Sequence, residues 1–194
     1  MSTKSLVCFL AMTLAGSLGT AAHAQEGCPQ GSFSVINSPD GTSLSILFDA
    51  FSVSSGGSSG PGTVQKRCDL QVPLHLPEGY SLGVYRVDYR GYAHLARKET
   101  SELTVDYHLG PRDNGRRFHR KTKGEYDGEF LFTENIGAGL MKRVGCGEAA
   151  ALNVSVSLAL AASGAEEAMA TLDSADGAAK GGLIYYFDTK KCRP

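Results

Sequence analysis

Tryptophan is absent from the 194 residues, and proline is limited to 7. Neither sign of charge predominates, since 19 Lys plus Arg face 20 Asp plus Glu. That balance removes the general basic field of a protein that coats nucleic acid. Without tryptophan, a core must be filled by the 8 Tyr and 8 Phe together with the aliphatic residues. No two of the cysteines at 28, 68, 146 and 192 lie two to four residues apart, which excludes a zinc ribbon. The histidines His75, His94, His108 and His119 are scattered without ligand spacing, so zinc or copper has no support. No repeat of solenoid or propeller period is present. Hydrophobic residues at 42% exclude a wholly disordered chain, and the 24 Gly point to many turns.

The one long apolar run comes at the start. Lys4 precedes Leu6–Leu18, and Ala22-His23-Ala24 supplies a small-x-small cleavage pattern. The run is too short for a membrane span of about 20 residues. The expectation is a cleaved signal peptide over residues 1–24, followed by a single domain over 25–194. The mature chain is expected outside the cell, either secreted or in a periplasm, with no transmembrane segment. Cys8 leaves with the signal, and an even count in an exported chain reads as two disulfides. Three pairings of Cys28, Cys68, Cys146 and Cys192 are possible. Cys28–Cys68 with Cys146–Cys192 is favoured because it ties each end inward, and the other two remain open. A catalytic thiol would leave an odd cysteine.

The remaining chain reads in period two. Leu70, Val72, Leu74 and Leu76 alternate with Asp69, Gln71, Pro73 and His75. The pattern recurs over 102–109 and 152–160, and more weakly over 32–37, 43–53, 81–90, 129–134 and 183–188. Alternation of this kind marks strands with one buried and one wet face, and Pro73 belongs at an edge. The expected fold is all-β, an antiparallel β-sandwich of jelly-roll-like form with about eight strands and two disulfides. Three segments read otherwise. Residues 54–66 read as a Gly/Ser loop, 110–128 as a basic polar connection, and 161–182 as loop with helical turns near Glu166–Ala170.

An ordered set of pieces resembles the secreted bacterial and fungal family catalogued as domain of unknown function 4360. The set comprises Cys28-Pro29, Ser43 to Phe51 ending in Phe48-Asp49-Ala50-Phe51, Cys68, and Pro77-Glu78-Gly79-Tyr80-Ser81. It continues through Val87-Asp88-Tyr89-Arg90-Gly91-Tyr92-Ala93, Tyr107 to Gly110, Cys146-Gly147, Thr171-Leu172-Asp173-Ser174 and Cys192. The segment after Gly110 is more basic than the family pattern. The resemblance implies a small, secreted, disulfide-bonded β-rich protein and brings no catalytic residues.

Four motifs offer chemistry. Gly56-Gly57-Ser58-Ser59-Gly60 fits the nucleophile-elbow pattern in letters but lacks a following helix. Asp173 and Asp176 could contribute to a calcium loop, against the alternative of an Asx turn. Arg112, Arg116, Arg117, Arg120, Lys121 and Lys123, with His119, form a basic run that could hold phosphate, sulfate or uronate, or merely solvate a hairpin tip. Tyr85, Val87 and Tyr89 alternate with Arg86, Asp88 and Arg90. The tyrosines are expected in the core, the alternative being an outward platform for sugars. No nucleophile, metal or acid–base pair stands out. The expectation is therefore a non-catalytic protein that binds a glycan or cell-envelope polymer, with nucleic acid disfavoured as partner. The alternatives are a polysaccharide-acting enzyme using Asp88, Glu125 or Asp127, an inhibitor or effector, and an extracellular structural protein.

Overall fold

The computed structural model describes residues 23–25, 28–29, 31–111, 113–137, 140, 142–164, 166–172 and 181–193. Thirteen strands occupy most of them, with one 3-10 turn at Gly57–Ser59 and no α-helix among the described residues. The strands are β1 (His23–Gln25), β2 (Phe33–Asn37), β3 (Ser43–Phe48), β4 (Ser52–Gly56), β5 (Gly62–Leu74), β6 (Tyr80–Leu95) and β7 (Thr100–Leu109). They continue with β8 (Arg116–Lys123), β9 (Tyr126–Asn135), β10 (Arg143–Gly145), β11 (Ala150–Ala162), β12 (Glu167–Thr171) and β13 (Gly182–Lys191).

All pairings are antiparallel. One sheet has the order β1-β5-β11-β7-β8, and the other the path β2-β3-β13-β6-β12-β4, with β9 and β10 also on β6. The 16-residue β6 is the spine of the larger sheet. Along one edge it meets β13 and then β12, and along the other β10 and then β9. In the smaller sheet β1 covers only Asp69–Gln71 of β5, so Pro73 lies on the open stretch beyond it.

Alternation builds the core. Cys68, Leu70 and Val72 of β5, Leu103, Val105 and Tyr107 of β7, and Leu152, Val154 and Val156 of β11 all point inward and are buried. They meet Leu44, Ile46, Val87, Tyr89, Leu183 and Tyr185 from the other sheet. Each large apolar side chain so placed contributes roughly 1.5–3 kcal/mol. Disulfides join Cys28 to Cys68 and Cys146 to Cys192, with Cα–Cα distances of 5.1 and 5.7 Å. The second bridge straps the start of β6, because the Cys146 and Cys192 amides donate to Tyr80 and Gly79 carbonyls at 3.0 and 2.8 Å.

Three departures from the sequence reading add strands to the expected eight. Residues 54–66 are the end of β4, a single tight turn and the start of β5, rather than a flexible loop. The basic connection over 110–128 contains β8 and the beginning of β9. Instead of helical turns, 167–171 form β12, whose backbone groups are taken by β4 and β6. The tyrosine alternation is also broken. The β6–β13 register passes from Arg86↔Tyr186 to Val84↔Phe187, leaving Tyr85 as a bulge residue. Tyr89 is core as expected, whereas Tyr85 is 41% exposed.

Candidate functional site

The outer face of the five-stranded sheet is polar from edge to edge. Strand register sets its side chains in rows. Asp69, Ser155, Asp106 and Arg117 run across β5, β11, β7 and β8, and Gln71, Asn153 and His108 form the adjoining row. On the other side lie Arg67, Ser157, Thr104 and His119, then Gln65, Ala159, Glu102 and Lys121. An open groove of about 840 Å³ crosses the first two rows, lined by Asp69, Asp106, His108, Arg117, Asn153 and Ser155. Its end wall is the turn at Asn114-Gly115-Arg116. Asp113 shapes that turn by accepting the Leu109 amide at 3.0 Å and the Gly115 amide at 3.2 Å. Gly115 has φ +74°, a left-handed conformation that favours glycine.

Hydrogen bonds hold this face in place. The Arg117 guanidinium donates to both Asp106 oxygens, at 2.6 and 3.0 Å. Arg67 pairs with Asp69 at 3.1 Å, and Lys121 with Glu102 at 2.6 Å. Gln71 donates to Asn153 at 3.0 Å, and Gln65 to Ser157 at 2.6 Å. Partial burial would raise the Asp69 carboxyl, but hydrogen bonds from Arg67 and Ser155 and the charge of Arg67 outweigh it and hold the group below its ordinary value. A hydrogen bond from Lys121, with one from His119 and both their charges, likewise keeps Glu102 ionised against its desolvation. The ions on this face are therefore compensated, and the face is an array of paired polar side chains. At the groove, the buried His108 Nδ1 has no partner.

β8 divides the basic run of the sequence between two faces. Arg117, His119 and Lys121 point outward onto the polar sheet. Arg116 turns inward and donates to Glu134 through Nε and Nη2 at 3.2 and 3.1 Å. The same carboxylate accepts the Tyr89 hydroxyl at 2.8 Å and the Tyr107 hydroxyl at 3.0 Å. Burial raises both phenols above their ordinary value. Arg120 lies 5.7 Å from the Phe118 ring centre and 5.5 Å from that of Phe132. Lys123 has no carboxylate partner among the described residues. Arg112 lies outside the described residues, as do Asp173 and Asp176 of the expected calcium loop. Among the described residues no three His, Cys, Asp or Glu side chains are grouped to hold a metal.

The other singled-out residues are dispersed. Ser58 sits exposed in the 3-10 turn between β4 and β5, without a helix behind it. Asp88 is fully buried under Arg86, Thr133 and Tyr186. Glu125 and Asp127 line a second open groove of about 780 Å³ at one end of the sandwich, with His94, Arg97 and Glu166. There Asp127 accepts the Tyr92 hydroxyl and lies 3.4 Å from His94 Nδ1, and Glu125 lies 3.6 Å from Arg97. Sequence reasoning placed Asp69, Asp106, His108, Asn153 and Ser155 on wet strand faces. It had no signal for the side-by-side order of β5, β11, β7 and β8 that assembles them.

Residues 17–192 match the family described as Domain of unknown function (DUF4360). An "Uncharacterized secreted protein" of Arthroderma benhamiae is 26% identical over 140 residues, which is 72% of this chain and 57% of the relative. The chain thus spans little more than half the length of that relative. Among solved structures, TmCBM61 in complex with beta-1,4-galactotriose aligns over 89% of both chains at 13% identity, with a TM-score of 0.32.

Proposed function

The chain belongs to the Domain of unknown function (DUF4360) family, and from that premise we propose that it is a secreted, non-catalytic binder of a glycan or cell-envelope polymer. One observation carries this reading: the groove across β5, β11, β7 and β8, whose charges are paired and whose outward side chains are polar. Sugar hydroxyls each donate and accept, so a set of Asp, Asn, Arg and His side chains suits them. Compensation of Arg117 by Asp106 and of Arg67 by Asp69 favours a neutral chain in this groove. Export is part of the proposal, with residues 1–24 as a cleaved signal. Cleavage after Ala24 would remove His23 and Ala24 from β1 and free the β5 edge beside Leu70 and Gln71.

The test is retention of the oxidised protein on insoluble neutral and acidic polysaccharides at low and high salt, with supernatants assayed for released sugar. Saturable retention on a neutral polymer that survives salt is expected. Asn153→Ala, which removes a groove hydrogen-bonding group, should weaken it by about 2- to 10-fold. Retention that does not respond to groove substitutions would refute the assignment. Sugar release would favour an enzyme, with Glu125 and Asp127 of the end groove as the first residues to replace.

A further inference from the structure

The outer face of the eight-stranded sheet is built differently from the groove face. Three of the four exposed large apolar side chains among the described residues, Ile36, Tyr85 and Leu131, belong to its strands. Tyr85 is there because the bulge takes it out of the register, and its ring lies 6.2 Å from that of Tyr186. The Arg86 guanidinium covers the Tyr186 ring at 4.9 Å. Through Nε and Nη2 it also donates to the two Asp88 oxygens, at 2.9 and 2.8 Å. Thr133 and Tyr186 hydroxyls add donors at 2.8 and 3.2 Å. Asp88 thus stands at an outward position of its strand yet is fully buried, and every contact it accepts fixes a member of this cluster.

That arrangement leaves one charge over. Asp88 is saturated by Arg86 and its neighbours. Arg90, one outward position along β6, is half-buried with its Nε unpartnered, and among the described residues no carboxylate pairs with it. The face therefore combines a tyrosine pair, a guanidinium held by the two Asp88 oxygens, and a second guanidinium that no carboxylate pairs among the described residues. From Arg86 to Arg90 the strand advances roughly 13 Å, the reach of a chain of sugars rather than of one ring.

We propose that this face is a second polysaccharide site, selective for an acidic, uronate-bearing chain. A sugar ring packs its C–H face against the exposed Tyr85 ring, and a uronate carboxylate takes Arg90 as counter-ion. The inference is independent of the groove reading, because it concerns the opposite sheet and a ligand of opposite electrostatic demand.

Polygalacturonate is the probe, applied to wild type, Tyr85→Ala, Arg90→Gln, Arg90→Lys and Asn153→Ala at about 0.05 and 0.5 M salt. Wild type should bind and weaken with salt. Tyr85→Ala and Arg90→Gln should each lose about tenfold in affinity, Arg90→Lys should keep part of it, and Asn153→Ala should match wild type. Tyr85 is exposed, so its truncation leaves the unfolding midpoint near that of wild type and separates binding from folding. Absence of binding by wild type overturns the proposal. So does binding unchanged in both Tyr85→Ala and Arg90→Gln, and so does a loss seen only in Asn153→Ala, which would move the acidic chain to the groove.

Discussion

Asp88 concentrates the cost of the larger sheet's outer face in one residue. Burial alone would push its carboxyl up, but hydrogen bonds from Arg86, Thr133 and Tyr186 and the Arg86 charge hold it below the ordinary value. A folded-state value below the unfolded one means stability that is fully present above about pH 4. It is lost as the pH falls through the lower, folded value. Asp88→Asn removes the charge while keeping the shape, and leaves Arg86 facing an amide. The variant is expected to be about 2 kcal/mol less stable than wild type at pH 7. The gap should narrow steadily below about pH 4 as wild-type Asp88 protonates. Urea midpoints for both proteins across that range read the difference, and a gap constant with pH would contradict the assigned ionisation.

β8 is the element that joins the two halves of the molecule. It is hydrogen-bonded to β7 in one sheet, yet sends Arg116, Phe118 and Arg120 toward residues of the other. Phe118 stacks on Tyr89 with centroids 3.9 Å apart, and Tyr89 belongs to the opposing β6. Phe118→Ala should therefore open a cavity between sheets and cost about 3–4 kcal/mol. Chemical denaturation measures this, and a cost near zero would mean that β8 is not docked there. The same element explains how far the sequence could be read. The regular strands β5, β7 and β11 are legible because four or five apolar residues repeat at period two. β8 has a single apolar residue among its charges, so its alternation is carried by which arginine turns inward, and that depends on Glu134 from another strand. β12 is not legible for a related reason. Ala168 and Ala170 carry no strand preference of their own, and the backbone partners of β4 and β6 decide the matter. Tyr85 leaves the expected core position because one bulge inverts the alternation locally, and a bulge follows from pairing with β13 rather than from β6 alone.

At the scale of the whole molecule, the two disulfides act on different sheets. Cys28–Cys68 pins the beginning of the chain to β5 across 40 residues, and Cys146–Cys192 ties β10 to the end of β13 across 46. In the chain-entropy description, loops of these lengths are each worth about 4 kcal/mol through restriction of the unfolded chain. The bridges share no partner residue, so their effects should nearly add. Their sum is comparable to the entire stability of an ordinary domain, about 5–15 kcal/mol. Opening the second bridge loosens the strap at Gly79–Tyr80, where β6 begins, and β6 orders both β13 and β9. Opening the first loosens the chain preceding the groove strand β5. Cys28→Ser with Cys68→Ser, and Cys146→Ser with Cys192→Ser, should each lower unfolding free energy by about 4 kcal/mol. The fully reduced protein should lose its cooperative transition at 37 °C and, with it, retention on both polymers. If the reduced protein kept its transition and its binding, the sheets would be held by packing alone, and the bridges would belong to durability outside the cell rather than to the fold.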